Sequence, residues 1–168
     1  MLTPNQEKYL LTIPEDKVII IKPFDPKVKK AAQEIISKIK ETLPEAEILF
    51  MGASALEIAG QNDIDMTILA NGEFERHSNS LENLFGKPVK SNPTLIKWEF
   101  VQDGFEVELY LNDVISPVLQ EQIDTFNLLK NSPELLEEYE QIKLKSDGLL
   151  FREYMRRKYE FFNRILEL

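Results

Sequence analysis

The stretch MGASALEIAGQNDIDMTILA, Met51 to Ala70, constrains the fold more than any other part of the chain. It links two short apolar runs, AEILFMG and DIDMTILA, through a segment bounded by Gly52 and Gly60, and so reads as strand, short helix, strand. In the second run Ile64, Met66 and Ile68 alternate, which turns one face toward a core and leaves Asp63 and Asp65 on the other. Two carboxylates about 7 Å apart on one strand face are unfavourable unless a cation, a proton or a lysine compensates. A divalent ion, Mg²⁺ or Mn²⁺, is the economical compensation. The alternative for Asp63 alone is an ordinary turn acid after Asn62.

The rest of the chain supplies elements around this pair. Residues 1–16 mix Pro, Asn and charges and read as a loosely held arm, and KVIIIKPF is expected to be a strand ended by Pro23. Asp25 and Pro26 open a helix whose apolar stripe is Val28, Ala32, Ile35, Ile39 and Leu43, closed by Pro44. A loop with one short helix around Asn79 to Phe85 follows the acidic strand. TLIKWEFV and FEVELYL, joined by a turn at Gln102 to Gly104, form a hairpin. In its second arm Phe105, Val107, Leu109 and Leu111 share one face, while Glu106, Glu108 and Tyr110 share the other. Glu106 or Glu108 is thereby a candidate third acid, unless both form only the wet face of a half-covered sheet.

From Ser116 onward the periodicity is helical, in three segments over about 116–130, 133–145 and 147–167. The expectation is an α+β protein: a mixed β-sheet with flanking helices and a C-terminal helical block, forming a single domain over 1–168. Its core covers about 17–113 and its helical part about 114–168.

Composition narrows the chemistry. The chain has no Cys and a single His, so thiolate zinc sites, Cys nucleophiles and multi-imidazole centres are excluded and hard oxygen ligands remain. His77 lies in a polar run and reads as exposed. A net charge of -9 opposes non-specific binding to nucleic acid or to an anionic membrane. No stretch has the length and apolarity of a signal peptide or a membrane span, so a cytoplasmic protein is expected.

Gly52 and Ser54 stand where backbone N–H groups and a hydroxyl can hold phosphate oxygens, although Ser54 also suits a helix N-cap. Near the C-terminus Arg152, Arg156, Arg157, Lys158 and Arg164 make a locally basic helix, either a docking face for phosphates or a solvated face.

The order strand, Gly-x-Ser, short helix, Asp-Ile-Asp strand and later acid resembles the DNA polymerase beta-type nucleotidyltransferase superfamily. Gly52, Ser54, Asp63 and Asp65 occupy its signature places, with Ala53 inserted in the usual Gly-Ser pair. The flanks resemble the GrpB-like branch. VIIIKPFDPKV is similar to its opening strand and Pro-Tyr-Asp-Pro-x-Trp motif, and GASAL to its Gly-Ser-Thr-Ala-Val. NSPELLEEYEQIKLK is similar to its His-Pro-Glu-Leu helix, and Tyr154, Lys158 and Phe161 fall on its closing Tyr-x-x-x-Lys-x-x-Phe. Phe50 and Met51 replace a usual His, Leu56 to Gly60 replace a Val-Pro-Gly-Leu turn, and FNLLK keeps only Leu129 and Lys130 of an Arg-Asp-Tyr-Leu-Arg stretch.

The resemblance implies a nucleotidyltransferase-type fold in a family whose biochemical role is poorly defined. The expected activity is Mg²⁺- or Mn²⁺-dependent nucleotidyl or related phosphoryl transfer from a nucleoside triphosphate to a small-molecule or macromolecular acceptor. Asp63, Asp65 and Glu108 (or Glu106) are the expected metal ligands and catalytic acids. Gly52 and Ser54 are expected on the nucleotide phosphates, with Lys130, Lys143, Arg156 and Lys158 neutralising them. The alternative is a catalytically weak or inactive module of the same fold that binds a nucleotide or phosphate ligand.

Overall fold

Apolar alternation builds the sheet as the sequence implies: Ile64, Met66 and Ile68 are all buried, and so are Val107, Leu109 and Leu111 on a neighbouring strand. The structure is a computed structural model that describes residues 1–167; Leu168, the last residue of the expected helical part, lies outside the described residues. The elements run α1 (Pro4–Thr12), α2 (Lys27–Thr42), β1 (Glu47–Met51), α3 (Gly52–Ala55), β2 (Ile64–Leu69) and α4 (Phe74–Phe85). They continue with β3 (Lys90–Asn92), β4 (Leu95–Gln102), β5 (Phe105–Asn112), α5 (Pro117–Asn131), α6 (Pro133–Leu144) and α7 (Phe151–Leu166). Among the described residues no helix is long and apolar enough to cross a membrane.

The chain divides into two compact units. One comprises residues 25–57 and 62–120; the other comprises 1–24, 58–61 and 121–168.

The first unit holds a mixed α+β sheet of five strands in the order β1-β2-β5-β4-β3. β1 and β2 are antiparallel, β2 and β5 parallel, and β5, β4 and β3 antiparallel in turn. A two-residue turn at Asp103 and Gly104, both at positive φ (52° and 86°), closes the β4–β5 hairpin with the twist such hairpins favour. α2 turns Val28, Ala31, Ala32, Ile35 and Ile39 inward at helical spacing. Asp25 supports its start by accepting the Lys27 N–H at 2.9 Å.

α4 begins at Phe74, earlier than the expected Asn79, and this earlier start reverses the reading of His77. One helical turn ahead of the buried Leu81, His77 lies on the same inward face and is 2% exposed.

The second unit departs from expectation in its N-terminal residues. The supposed loose arm is α1, opened by a reciprocal cap: Thr3 Oγ1 accepts the Gln6 N–H at 3.3 Å, and Gln6 Oε1 accepts the Thr3 N–H at 2.8 Å. KVIIIKPF is extended but joins no sheet, making only isolated bridges from Val18 to Leu150 and from Lys22 to Gly60. Its backbone instead bonds a turn near residue 148, where Ile19 N–H donates to the Leu149 carbonyl at 3.0 Å and Gly148 N–H to the Ile19 carbonyl at 2.9 Å. The β-branched run still earns burial by alternation: Ile19 and Ile21 join Leu10, Ile13, Ala59, Tyr154 and Met155 in one core, while Val18 and Ile20 are exposed.

Candidate functional site

The parallel β2–β5 register brings two of the expected acids, Asp65 and Glu108, side by side. Asp65 lies beside Glu108 on one side and Met51 on the other, and Glu108 in turn faces Glu99 across the hairpin. One register step further along, Tyr110 faces Lys97. Residues two apart in a strand share a face, so Asp65, Glu108, Tyr110, Lys97 and Glu99 all project from the same side of the sheet.

Four of these groups form a closed network. The Lys97 ammonium donates to Glu108 Oε1 at 2.8 Å and pairs with Glu99 at 2.5 Å, while the Tyr110 hydroxyl donates to Glu108 Oε2 at 2.8 Å. Both carboxylate oxygens of Glu108 therefore already accept a hydrogen bond. Burial pulls the Lys97 ammonium down, but its bonds to Glu108 and Glu99 outweigh it and leave its pKa raised. Tyr110 is pushed up to about 12 by burial and by the neighbouring Glu108 carboxylate, against the opposing charge of Lys97.

Asp65 meets the backbone at Gly52. A Cβ added to Gly52, which sits at φ +83°, would fall 2.5 Å from Asp65 Oδ2, so only glycine lets this carboxylate rest against the turn between β1 and α3. Ser54, 2% exposed, donates its hydroxyl to the Asp63 carbonyl at 2.6 Å and so fixes the backbone just ahead of β2. Asn62, at φ 56°, accepts the Asp25 N–H at 3.1 Å and turns the chain into that position. β2 starts at Ile64, so Asp63 belongs to the entry segment and Asp65 to the strand proper; both are half-buried.

Of the remaining expected residues, Glu106 shares the face of Glu108, two residues along β5, and the four cations lie in the other unit. Glu106 is exposed opposite Val101. In the helical unit Lys130 is exposed on α5, and Arg156 is held by both carboxylate oxygens of Glu7, at 2.8 and 2.9 Å. Lys143 is buried, 3.0 Å from the Tyr154 hydroxyl and over the rings of Tyr139 and Tyr154. Lys158 is half-buried over the Phe162 ring. His77, expected to be exposed, has both ring nitrogens buried without a hydrogen-bond partner, and its Nε2 is 3.7 Å from Glu45.

The donors fit a divalent ion only in part. Among the described residues no three His, Asp or Glu side chains converge at metal-binding spacing. Mg²⁺ is commonly held by one or two carboxylates together with substrate phosphates and water rather than by an all-protein cage. Asp65 on the Gly52 cradle, with Asp63 two residues before it, suits that mode. Glu108 does not join them while Lys97 and Tyr110 hold it.

Lys97 and Glu99 were not singled out by sequence reasoning, yet the signal was present. A two-residue turn at 103 and 104 fixes the hairpin register, and counting back from it sets Lys97 against Tyr110 and Glu99 against Glu108.

This arrangement has relatives of known structure, and they define the class as the nucleotidyltransferase fold. A structure of Cid1 described for its RNA terminal uridylyl transferase activity aligns with 82% of this chain and 43% of its own, at 14% identity and a TM-score of 0.54. The Cid1 poly(U) polymerase with MgGTP bound aligns with 82% of this chain and 44% of its own, at 16% identity and a TM-score of 0.52. The chain spans less than half the length of these structures. Within that class the chain belongs to the GrpB family, whose description, GrpB protein, matches residues 18–168. A UPF0157 protein of Vibrio cholerae is 25% identical over 144 residues, covering 77% of this chain and 70% of the relative.

Proposed function

We propose that the protein binds a nucleoside triphosphate together with Mg²⁺ or Mn²⁺ at Asp63 and Asp65 and transfers a nucleotidyl or related phosphoryl group to an acceptor hydroxyl. The observation that carries this reading is the Asp65 carboxylate seated on Gly52, two residues after Asp63, on the less buried face of a nucleotidyltransferase-fold sheet. The metal, when bound, offsets charge on the phosphates and polarises the reacting oxygens. Gly52 exposes backbone to a phosphate without steric bulk, and Ser54 positions Asp63 through its carbonyl. In nucleotidyl transfer the acceptor oxygen bonds to the α-phosphorus, the bond to pyrophosphate breaks, and the acceptor proton leaves to solvent or to a carboxylate. Glu108 joins this set only when its bonds to Lys97 and Tyr110 are released.

Of the four expected phosphate-binding cations, Lys143 and Arg156 are engaged within their own unit. Lys130 and Lys158 are the two whose neutral variants best test a phosphate role. The setting proposed is the cytoplasm, where triphosphates and Mg²⁺ are both available, and the acceptor is a small molecule or a macromolecule rather than nucleic acid bound non-specifically.

Calorimetric titration of Mg²⁺ with ATP, GTP, CTP and UTP tests the site. Metal-dependent nucleotide binding by the parent chain that is lost in Asp63→Asn/Asp65→Asn is the expected result; undiminished binding by the double variant overturns the assignment. Gly52→Ala should weaken the same binding at least tenfold, because its Cβ and Asp65 Oδ2 compete for one volume.

A second reading is favoured by the two bonds that Glu108 already accepts: a module that binds the triphosphate without turnover. Pyrophosphate release with any acceptor would exclude it.

A further inference from the structure

Glu99 and Glu108 face each other directly across the antiparallel β4–β5 pair, and Asp65 adjoins Glu108 from β2. Directly opposed like charges destabilise a sheet unless a cation lies between them. Lys97 supplies one. It is two residues before Glu99 on the same strand, its side chain is only 17% exposed, and its ammonium bonds both Glu99 and Glu108, at 2.5 and 2.8 Å. The Tyr110 ring flanks the ammonium at 5.3 Å while its hydroxyl holds the other oxygen of Glu108 at 2.8 Å.

We infer that Lys97 is a resident counter-cation of the acidic face: its ammonium takes the place between Glu99 and Glu108 that a divalent ion would otherwise fill, and it limits the face to one metal, at Asp63 and Asp65. A dication approaching Glu108 meets the ammonium within hydrogen-bonding range of the same oxygen. Lys97 is thus a positioning residue that sets the metal stoichiometry through Glu108. The limit of one metal rests on the reading of Asp63 and Asp65 given above; the displacement of a second metal by Lys97 does not.

The test is titration with Mn²⁺ alone, counting free ion by its electron paramagnetic resonance signal, on the intact parent chain and four variants checked for folding by circular dichroism. Lys97→Met should take up one more Mn²⁺ per chain than the parent, and Lys97→Arg, which keeps the charge, should match the parent. Glu108→Gln should leave the parent's count unchanged, because Glu108 is not a ligand while Lys97 holds it. An unchanged count in a folded Lys97→Met, or a Mn²⁺ lost in Glu108→Gln, overturns the inference; should Lys97→Met fail to fold, Glu108→Gln decides it. Asp65→Asn separates the two readings. If it keeps the parent's Mn²⁺, or if the parent binds none, the metal assignment to Asp63 and Asp65 fails, while the extra ion in Lys97→Met still decides the role of Lys97.

Discussion

Each unit of this protein contains a lysine bonded into a tyrosine-containing cluster, and the two clusters behave in opposite ways. In the sheet unit Lys97 and Tyr110 share the carboxylate of Glu108 between them. In the helical unit Lys143 donates to the Tyr154 hydroxyl at 3.0 Å, and among the described residues no carboxylate pairs with it. Burial pushes both phenols up. Glu108 adds to that push at Tyr110, which reaches about 12. At Tyr154 the charges of Lys158 and Lys143, with hydrogen bonds from Lys143 and Tyr139, outweigh burial and bring the phenol below its ordinary value. A buried tyrosine beside a lysine therefore carries no fixed sign of shift; the presence of a third, acidic group decides it.

The strongest way to break this contrast is the same substitution in both places. Lys97→Met leaves Glu99 and Glu108 opposed without a cation and should cost about 1–2 kcal/mol. Lys143→Met keeps the volume among the rings and removes a buried charge that lacks a counter-ion, so it should be neutral or stabilising by about 1 kcal/mol. Urea midpoints at neutral pH check both, and a larger loss for Lys143→Met would refute the comparison.

A smaller effect is the response to pH. Folded Tyr110 holds its proton where the unfolded chain has released it, so the unfolded state binds fewer protons and stability falls as pH rises between about 10 and about 12. Tyr154 has the reverse sign: its folded form releases the proton first, and its contribution is present above the unfolded value and lost as pH falls through the lowered one. Absorbance titration of tyrosinate should show Tyr154→Phe removing a step below the ordinary tyrosine range. Tyr110→Phe should remove a late one, beside that of Tyr159, which burial, with a contribution from Tyr9, also pushes up to about 12.

The smallest expected changes come from single neighbours. Lys158→Met should raise the Tyr154 step, and Glu108→Gln should lower the Tyr110 step. Shifts in the same direction for the two variants would mean that burial alone governs both phenols.

Most of this contrast was hidden in the sequence, while most of the sheet was not. Alternation marks β2, β4 and β5, and helical spacing marks α2 and the three C-terminal helices, because each buries a single face. α1 was missed although Thr3, Pro4 and Gln6 spell out a capped start, since few apolar residues accompany them. KVIIIKPF misled because β-branched alternation reports burial and extension, not the presence of a pairing strand. At the site, the pattern identifies Asp65 and Glu108 as sharing a face. Their adjacency depends on the parallel β2–β5 register, which no local signal sets. The fixing of Asp63 by Ser54, and the packing of Asp65 on Gly52, are tertiary facts of the same kind.

The two-residue turn at Asp103 and Gly104 bears on the order in which the molecule assembles. Hairpins of this kind close within microseconds, whereas parallel pairing between segments distant in sequence forms late. Lys97 is thus expected to reach Glu108 before Asp65 is laid alongside it, so that the two carboxylates meet with a cation already in place. Transition-state φ-values should accordingly be high for substitutions along β4 and β5 and low along β2; the opposite pattern would mean that the acids are brought together first and neutralised afterward.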